Sequence, residues 1–337
     1  MNSLTYVDLH RQVSFDIQKE METALLRLAP ASGSSAAKSA VGRLLRHQKM
    51  RHPLSVLPMM VHAVETGDPG PAVPLSAVHL LWWTSACYLD DLADGHGTTA
   101  SDSLDQNEAL LASMLSGTVL PIRIIRALPV PAGVQGALTA ELATGWVVGV
   151  EGQLSDIAGD VESATRNSVI AAYRGKSGGP YSMITAMAAI LSGASDERVE
   201  LWREFGYLFG ILWQIFNDQE DILSGRNEDL LNGTVTYLLS CALDDAPDLR
   251  AREELLDWCA AARHSERART ELTRFLLSPE VLHPYSAELD AFRKEAHRLL
   301  TDLGGHEHHL PPMRHLVDHA AQMLLRPTLT PAVAASA

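Results

Sequence analysis

The stretch FGYLFGILWQIFNDQED, Phe205 to Asp221, is apolar around nearly its whole circumference and then ends abruptly in Asn217, Asp218, Glu220 and Asp221. A helix with no polar face belongs inside a large protein, surrounded by other helices. Residues 179–193 read the same way. Outward from this pair, helical periodicity runs through most of the chain, with helices expected near 5–28, 36–65, 75–94, 103–127, 134–158, 163–174, 179–193, 197–224, 234–244, 250–277, 285–303 and 311–325. Strand signals are nearly missing: the one Asn-Gly, Asn232-Gly233, and the one Asp-Gly, Asp94-Gly95, each follow a helical pattern and read as breaks rather than hairpins. No linker or repeat divides the chain, so the expected fold is all-α, a single large antiparallel bundle over residues 1–326 with a disordered tail at 327–337.

Composition bounds the chemistry. The 337 residues carry 27 Lys and Arg against 41 Asp and Glu, a formal charge of −14, with 46% hydrophobic and 20% charged residues. That is globular composition, and its acidity argues against a nucleic-acid partner, which needs a basic face. Carboxylates can still receive a polyanion through divalent metal ions. Three scattered cysteines give neither a disulfide framework nor a zinc site. No signal peptide is visible at the start, and the apolar stretches 72–89 and 177–195 are broken by polar residues or by Gly and Pro. No membrane span is therefore expected, and the cytoplasm is the expected compartment.

Four motifs could carry chemistry. Asp90, Asp91 and Asp94 close the apolar helix LSAVHLLWWTSACYL, and Asp90 and Asp94, four apart, share one face. Like charges at that spacing repel unless a cation intervenes, and a hard divalent ion with oxygen ligands is the natural one; a solvated acidic helix end is the plain alternative. Asn217 and Asp221 repeat the i, i+4 arrangement at the end of the buried helix. Two such ends could flank one cavity mouth and hold metal ions. Arg174-Gly175-Lys176-Ser177-Gly178-Gly179-Pro180, read as a turn between helices, could bring backbone and a lysine to a phosphate, although it lacks the Walker pattern. Gln153 and Asp156 place an amide and a carboxylate on a helix otherwise lined with Trp146, Val147, Val148 and Val150.

In this order the motifs resemble the trans-isoprenyl diphosphate synthase family and, more widely, the class I terpene synthases, over roughly residues 15 to 300. Asp90, Asp91 and Asp94 meet the family's first DDxxD, Gln153 and Asp156 its GQxxD, and Lys176 the lysine of KTG; Asn217 to Asp221 stand in place of the second DDxxD, and Thr236-Tyr237 resembles the end of GKxTxP. The resemblance implies Mg²⁺, about three ions, held by Asp90, Asp91, Asp94, Asn217 and Asp221. It implies a linear allylic prenyl diphosphate bound through Lys176, with Arg174 and Arg226 as further cations. Metal charge and Lys176 would draw off the diphosphate, and a cavity lined by Trp82, Tyr88, Phe209 and Trp213 would shelter the cation. Helix pairing in the family implies a homodimer.

Departures from the pattern are as informative. Gln48 to Pro53 keeps Lys49 and Pro53 of the segment GGKRxRP but loses both aligned arginines; no Arg pair follows Asp94; Thr234 replaces the lysine of GKxTxP. A second diphosphate would find few cations. The expected activity is therefore a terpene synthase acting on one prenyl diphosphate, and Asn217 agrees, although Asp221 and Gly225 depart from the Asn-Ser-Glu set of such cyclases. Prenyl transfer, to isopentenyl diphosphate or another acceptor, is the alternative, and an inactive regulatory subunit a third reading. Ala86 and Ser85, four and five residues before Asp90, are small where short-chain members place aromatics, so Trp82 becomes the expected pocket floor and the substrate C15 to C20. The run His306 to His309 reads as a surface turn.

Overall fold

The computed structural model describes residues 5–26, 28, 35–48, 50, 52–93 and 105–322. Among them no strand occurs. Sixteen α-helices follow one another: α1 Tyr6–Leu26, α2 Ala36–His47, α3 Leu57–Thr66, α4 Val73–Ala93, α5 Gln106–Met114, α6 Leu120–Ala127, α7 Ala132–Ile157 and α8 Arg166–Tyr173, then α9 Gly179–Leu191, α10 Asp196–Ser224, α11 Glu228–Asn232, α12 Tyr237–Asp244, α13 Leu249–Ala262, α14 Glu266–Leu276, α15 Pro279–Leu303 and α16 Leu310–Ala320. Expected residues Asp94 and Lys49, the segment after Asp94 and the tail from 327 lie outside the described residues.

Local chemistry explains most boundaries. Side chains of Ser35, Asp105, Thr165, Thr236, Asp248 and Ser265 accept from backbone N–H groups of the first turn of α2, α5, α8, α12, α13 and α14, which satisfies donors a helix start leaves open. Gly67 and Gly233 close α3 and α11 at φ +83° and +79°, where a side chain is disfavoured. The single helix expected over 36–65 is instead two, separated by a short 3-10 turn at Leu54–Val56: Pro53 disfavours helix at His52 before it, and Pro58 sits in the first turn of α3. The helix expected over 250–277 likewise divides, because Ser265 starts a new one. Helix α11 was not expected at all.

The chain forms two compact units, one from Met1–Trp146, Ser182–Glu204 and Leu303–Met313, the other from Val147–Tyr181, Phe205–Asp302 and Arg314–Ala337. In the first unit α4 packs against α1, α3, α5 and α6, with Leu75, Val78 and Leu81 fully buried. Glu65, nearly buried, takes both Arg198 nitrogens at 2.6 and 2.8 Å and the Trp202 indole N–H at 2.6 Å. Of the described helices one stretch, Gln106–Ala127, is long and apolar enough to cross a membrane, and half of it is buried. A π-helical turn at Leu115–Val119 joins its two halves, packed on α4. In the second unit α10 contributes the aromatic series Phe205, Phe209, Trp213 and Phe216, each ring within 6.0 Å of the next.

Candidate functional site

The second unit gathers most of the expected residues. Residues 174–178, read from sequence as an interhelical turn, form a π-helical turn that continues α8 into α9. Its glycines serve helix packing. A Cβ on Gly152 of α7 would fall 2.0 Å from the Lys176 nitrogen and 2.6 Å from the Gly175 Cα; one on Gly210 of α10 would fall 2.5 Å from the Gly178 Cα. Three helices thus touch main chain to main chain, and only glycine permits that approach. The glycines set the lysine's position by where they place the backbone. Lys176 Nζ lies 2.9 Å from Asp156 Oδ2, both about five-sixths buried, so two residues from separate sequence motifs meet as an ion pair.

The acidic end of α10 is organised around that pair. Asp218, buried, accepts from the Tyr173 hydroxyl at 2.5 Å and from Gln214 Nε2 at 2.9 Å, while Ser177 Oγ donates to Gln214 Oε1 at 2.6 Å. The Tyr237 backbone N–H closes the chain by donating to the Tyr173 hydroxyl at 3.1 Å. Asp221 accepts at 3.1 and 3.2 Å from the backbone N–H groups of Glu228 and Asp229, with Arg226 Nε 3.6 Å away. Asn217 is exposed. Arg174 is exposed too, its guanidinium 4.0 Å above the Tyr207 ring, and no described contact joins it to Lys176. The Gln153 amide nitrogen is buried without a hydrogen-bond partner among the described residues.

Crowded carboxylates leave an electrostatic mark. Burial, then Asp218 and Asp221, push the Asp229 carboxyl up to about 8, against the opposing pull of Lys176. Burial also raises Asp218, to about 6, while the Tyr173 and Gln214 hydrogen bonds pull it back down. The Tyr173 hydroxyl is held well above its ordinary range by burial and the Asp218 charge, so it stays a donor. Carboxylates that outnumber the nearby Lys176 and Arg226 have the chemistry a hard divalent cation relieves. Among the described residues no three His, Cys, Asp or Glu side chains converge closely enough to hold a metal ion by themselves. Carboxylate oxygens such as these are the donors that Mg²⁺ takes alongside waters and substrate oxygens.

In the first unit Asp90 and Asp91 end α4, both half-buried. Asp91 accepts a hydrogen bond from Gln48 Nε2, which places Gln48 beside the first acidic motif. The four expected lining aromatics sit in core packing: Trp82, Tyr88, Phe209 and Trp213 are 3%, 1%, 0% and 6% exposed. Tyr88 donates to the Gln106 carbonyl at 3.0 Å. Phe209 lies 5.1 Å from Tyr181, and Trp213 stacks on Phe216 at 4.9 Å. Trp82 lies 4.7 Å from Trp146.

Sequence reasoning missed Tyr173, Gln214, Ser177 and Asp229. Tyr173 and Gln214 looked like ordinary helix residues and Ser177 like part of a turn, and nothing in their spacing marks them as members of the network around Asp218. Asp229 stands in a charged run that reads as a solvated loop, yet Gly225 and Gly233, both at positive φ, bound a short segment that turns back. Paired glycines eight residues apart were the available signal.

An all-α fold with acid at helix ends and a buried lysine places the chain among the prenyl diphosphate synthases in fold. A geranylgeranyl pyrophosphate synthase structure matches at TM-score 0.80 with 14% identity, over 95% of this chain and 99% of the other. A decaprenyl diphosphate synthase from Rhodobacter capsulatus matches at 0.75 with 18% identity, over 93% and 97%. A geranylgeranyl pyrophosphate synthase from Corynebacterium glutamicum, complexed with isoprenyl diphosphate and magnesium, matches at 0.73 with 14% identity, over 93% and 98%. Comparison with curated proteins gives no match. Residues 97–273 match the family model described as polyprenyl synthetase. The chain belongs to that family and is an enzyme acting on prenyl diphosphates. This finding favours prenyl transfer over the cyclisation expected from the missing arginines.

Proposed function

We propose that the protein is a prenyltransferase that extends an allylic prenyl diphosphate with isopentenyl diphosphate. The observation that carries this reading is membership of the polyprenyl synthetase family. The Lys176–Asp156 pair beside the buried end of α10 supports it. Asp90, Asp91, Asp94, Asn217 and Asp221 are the residues that would hold Mg²⁺. When bound, the metal supplies positive charge against the diphosphate leaving group. Lys176, oriented by Asp156, offers its ammonium to a diphosphate oxygen, and charge placed in advance lowers the barrier without reorganisation. Asp221 and its two backbone donors hold the α10–α11 turn, which keeps Arg226 within reach of the same anion. The homodimer and the C15 to C20 chain length belong to the same reading.

The test is to incubate the purified chain with Mg²⁺, a C10 or C15 allylic diphosphate and carbon-labelled isopentenyl diphosphate, and to determine the product by mass spectrometry. Prenyl transfer gives a chain longer by labelled five-carbon units. A hydrocarbon or alcohol made from the allylic diphosphate alone, with no label, would establish the cyclase instead.

A further inference from the structure

We propose that Tyr173 is a positioning residue for the reaction: through Asp218, and together with Ser177 and Gln214, it pins the π-helical turn that carries Lys176 against α10. The proposal rests on the reading of Lys176 as a diphosphate ligand. Tyr173 and Ser177 stand four residues apart, the first just before that turn and the second inside it. Gln214 and Asp218 stand four apart on α10. The Tyr173 hydroxyl donates to Asp218 Oδ2 at 2.5 Å, and Ser177 Oγ donates to Gln214 Oε1 at 2.6 Å. Two segments thus meet in two rungs of matching step, and Lys176 lies between the rungs. Gln214 Nε2 ties them together by donating to Asp218 Oδ1 at 2.9 Å.

The main chain fixes the direction of the first rung. A tyrosine hydroxyl has one proton to give and lone pairs to accept with. The Tyr237 backbone N–H donates to the Tyr173 oxygen at 3.1 Å, which leaves the hydroxyl proton for Asp218. Tyr237 stands where the motif GKxTxP ends in proline, and proline has no N–H to give. This bond therefore belongs to the present chain and not to the motif. Tyr173 and Asp218 are both buried, so bulk water does not replace a bond lost between them. A π turn is a rare conformation, and a lysine ammonium rides on a flexible four-carbon stem. The rungs hold the base of that stem, and Asp156 holds its ammonium at 2.9 Å. With a rung gone, Asp156 steadies a lysine whose backbone has shifted.

The experiment is a double-mutant cycle on Tyr173→Phe, Lys176→Gln and the two combined, repeated with Ser177→Ala in place of Tyr173→Phe. Tyr285→Phe is the control: Tyr285 is buried like Tyr173, and its hydroxyl accepts from Nε2 of Gln219, the neighbour of Asp218, at 2.8 Å. Each protein is measured for melting temperature, for calorimetric affinity towards inorganic diphosphate with Mg²⁺, and for diphosphate release from a C10 or C15 allylic diphosphate with isopentenyl diphosphate. Tyr173→Phe and Ser177→Ala are each expected to weaken binding and slow release by about 10-fold, short of the roughly 100-fold that a displacement of about 1 Å costs. Added to Lys176→Gln, either is expected to cost less than about 2-fold more, because no ammonium remains to misplace. Tyr285→Phe is expected to lower the melting temperature and leave affinity and release unchanged. Wild-type affinity and release in both clamp variants, or losses that multiply in full with that of Lys176→Gln, would overturn the proposal. Wild-type binding and release in Lys176→Gln itself would overturn it together with the reading of Lys176. If the wild type releases diphosphate but never incorporates isopentenyl carbon, the transfer reading fails while the cycle still decides the role of Tyr173.

Discussion

Gly152→Ala and Gly136→Ala make the same chemical change on the same helix, and the structure assigns them opposite signs. A Cβ at Gly152 would stand 2.0, 2.3 and 2.6 Å from main-chain atoms of Lys176 and Gly175, whereas Gly136 has nothing within 4 Å. Ordinary contact begins near 3.4 Å, so α7 and the π turn must part by 3.4 − 2.0 = 1.4 Å at the closest point. Every obstructing atom is backbone, so no rotamer change can absorb the clash. Overpacking of that kind costs about 3 kcal/mol at its upper range. Alanine's better helix propensity returns about 1 kcal/mol, for a net loss of about 2 kcal/mol. At roughly 2 °C per kcal/mol for a chain of this size, Gly152→Ala lowers the melting temperature by about 4 °C and Gly136→Ala raises it by about 2 °C. Turnover falls further than stability in Gly152→Ala, because the displacement separates Lys176 from Asp156 at 2.9 Å, and an error of about 1 Å in a positioned group costs on the order of 100-fold in rate. Differential scanning fluorimetry and diphosphate release measure both. A Gly152→Ala protein with wild-type melting temperature and rate would refute the close main-chain approach.

Other predictions follow from the carboxylates and the buried ion pairs. Asp229 and Asp218 have carboxyls raised in the folded state, to about 8 and about 6, so the fold binds their protons more tightly than the unfolded chain does. Their contribution to stability is complete below about pH 4 and is lost as pH rises through those values. Asp229→Asn should therefore melt higher than wild type at pH 8.5 but not at pH 4, as thermal melts across pH will show. Removing Glu65 leaves Arg198 and the Trp202 indole without their acceptor, and Glu65→Ala should destabilise by about 3 kcal/mol in urea denaturation. Lys176→Gln should reduce turnover by more than 10-fold while the melting temperature changes little, and addition of a chelator should abolish turnover of the wild type.

The fold class was legible because apolar residues circle α9 and much of α10, and no such helix can stand outside a bundle. The break at Gly233 was equally plain, since positive φ selects glycine. The split at Pro53 and the short α11 were not, because each depends on a few residues whose preference is settled by what packs against them. At the site, the residues of the second acidic motif and Lys176 stood out through spacing and resemblance. The reason for the Gly-rich turn did not: Gly152, Gly175, Gly178 and Gly210 lie on three separate segments, and only folding shows that they pair. Trp82 and Trp83 are adjacent in sequence, and helical geometry sends one into the core and leaves the other half-covered.

The most direct measurement of the central claim is the ratio of diphosphate released to isopentenyl carbon incorporated, followed with an allylic diphosphate, Mg²⁺ and a range of isopentenyl diphosphate concentrations. Chain extension predicts one diphosphate for every five-carbon unit added, with release falling to background when isopentenyl diphosphate is withheld. Release that proceeds at full rate without it, and leaves its carbon out of the product, would contradict the account.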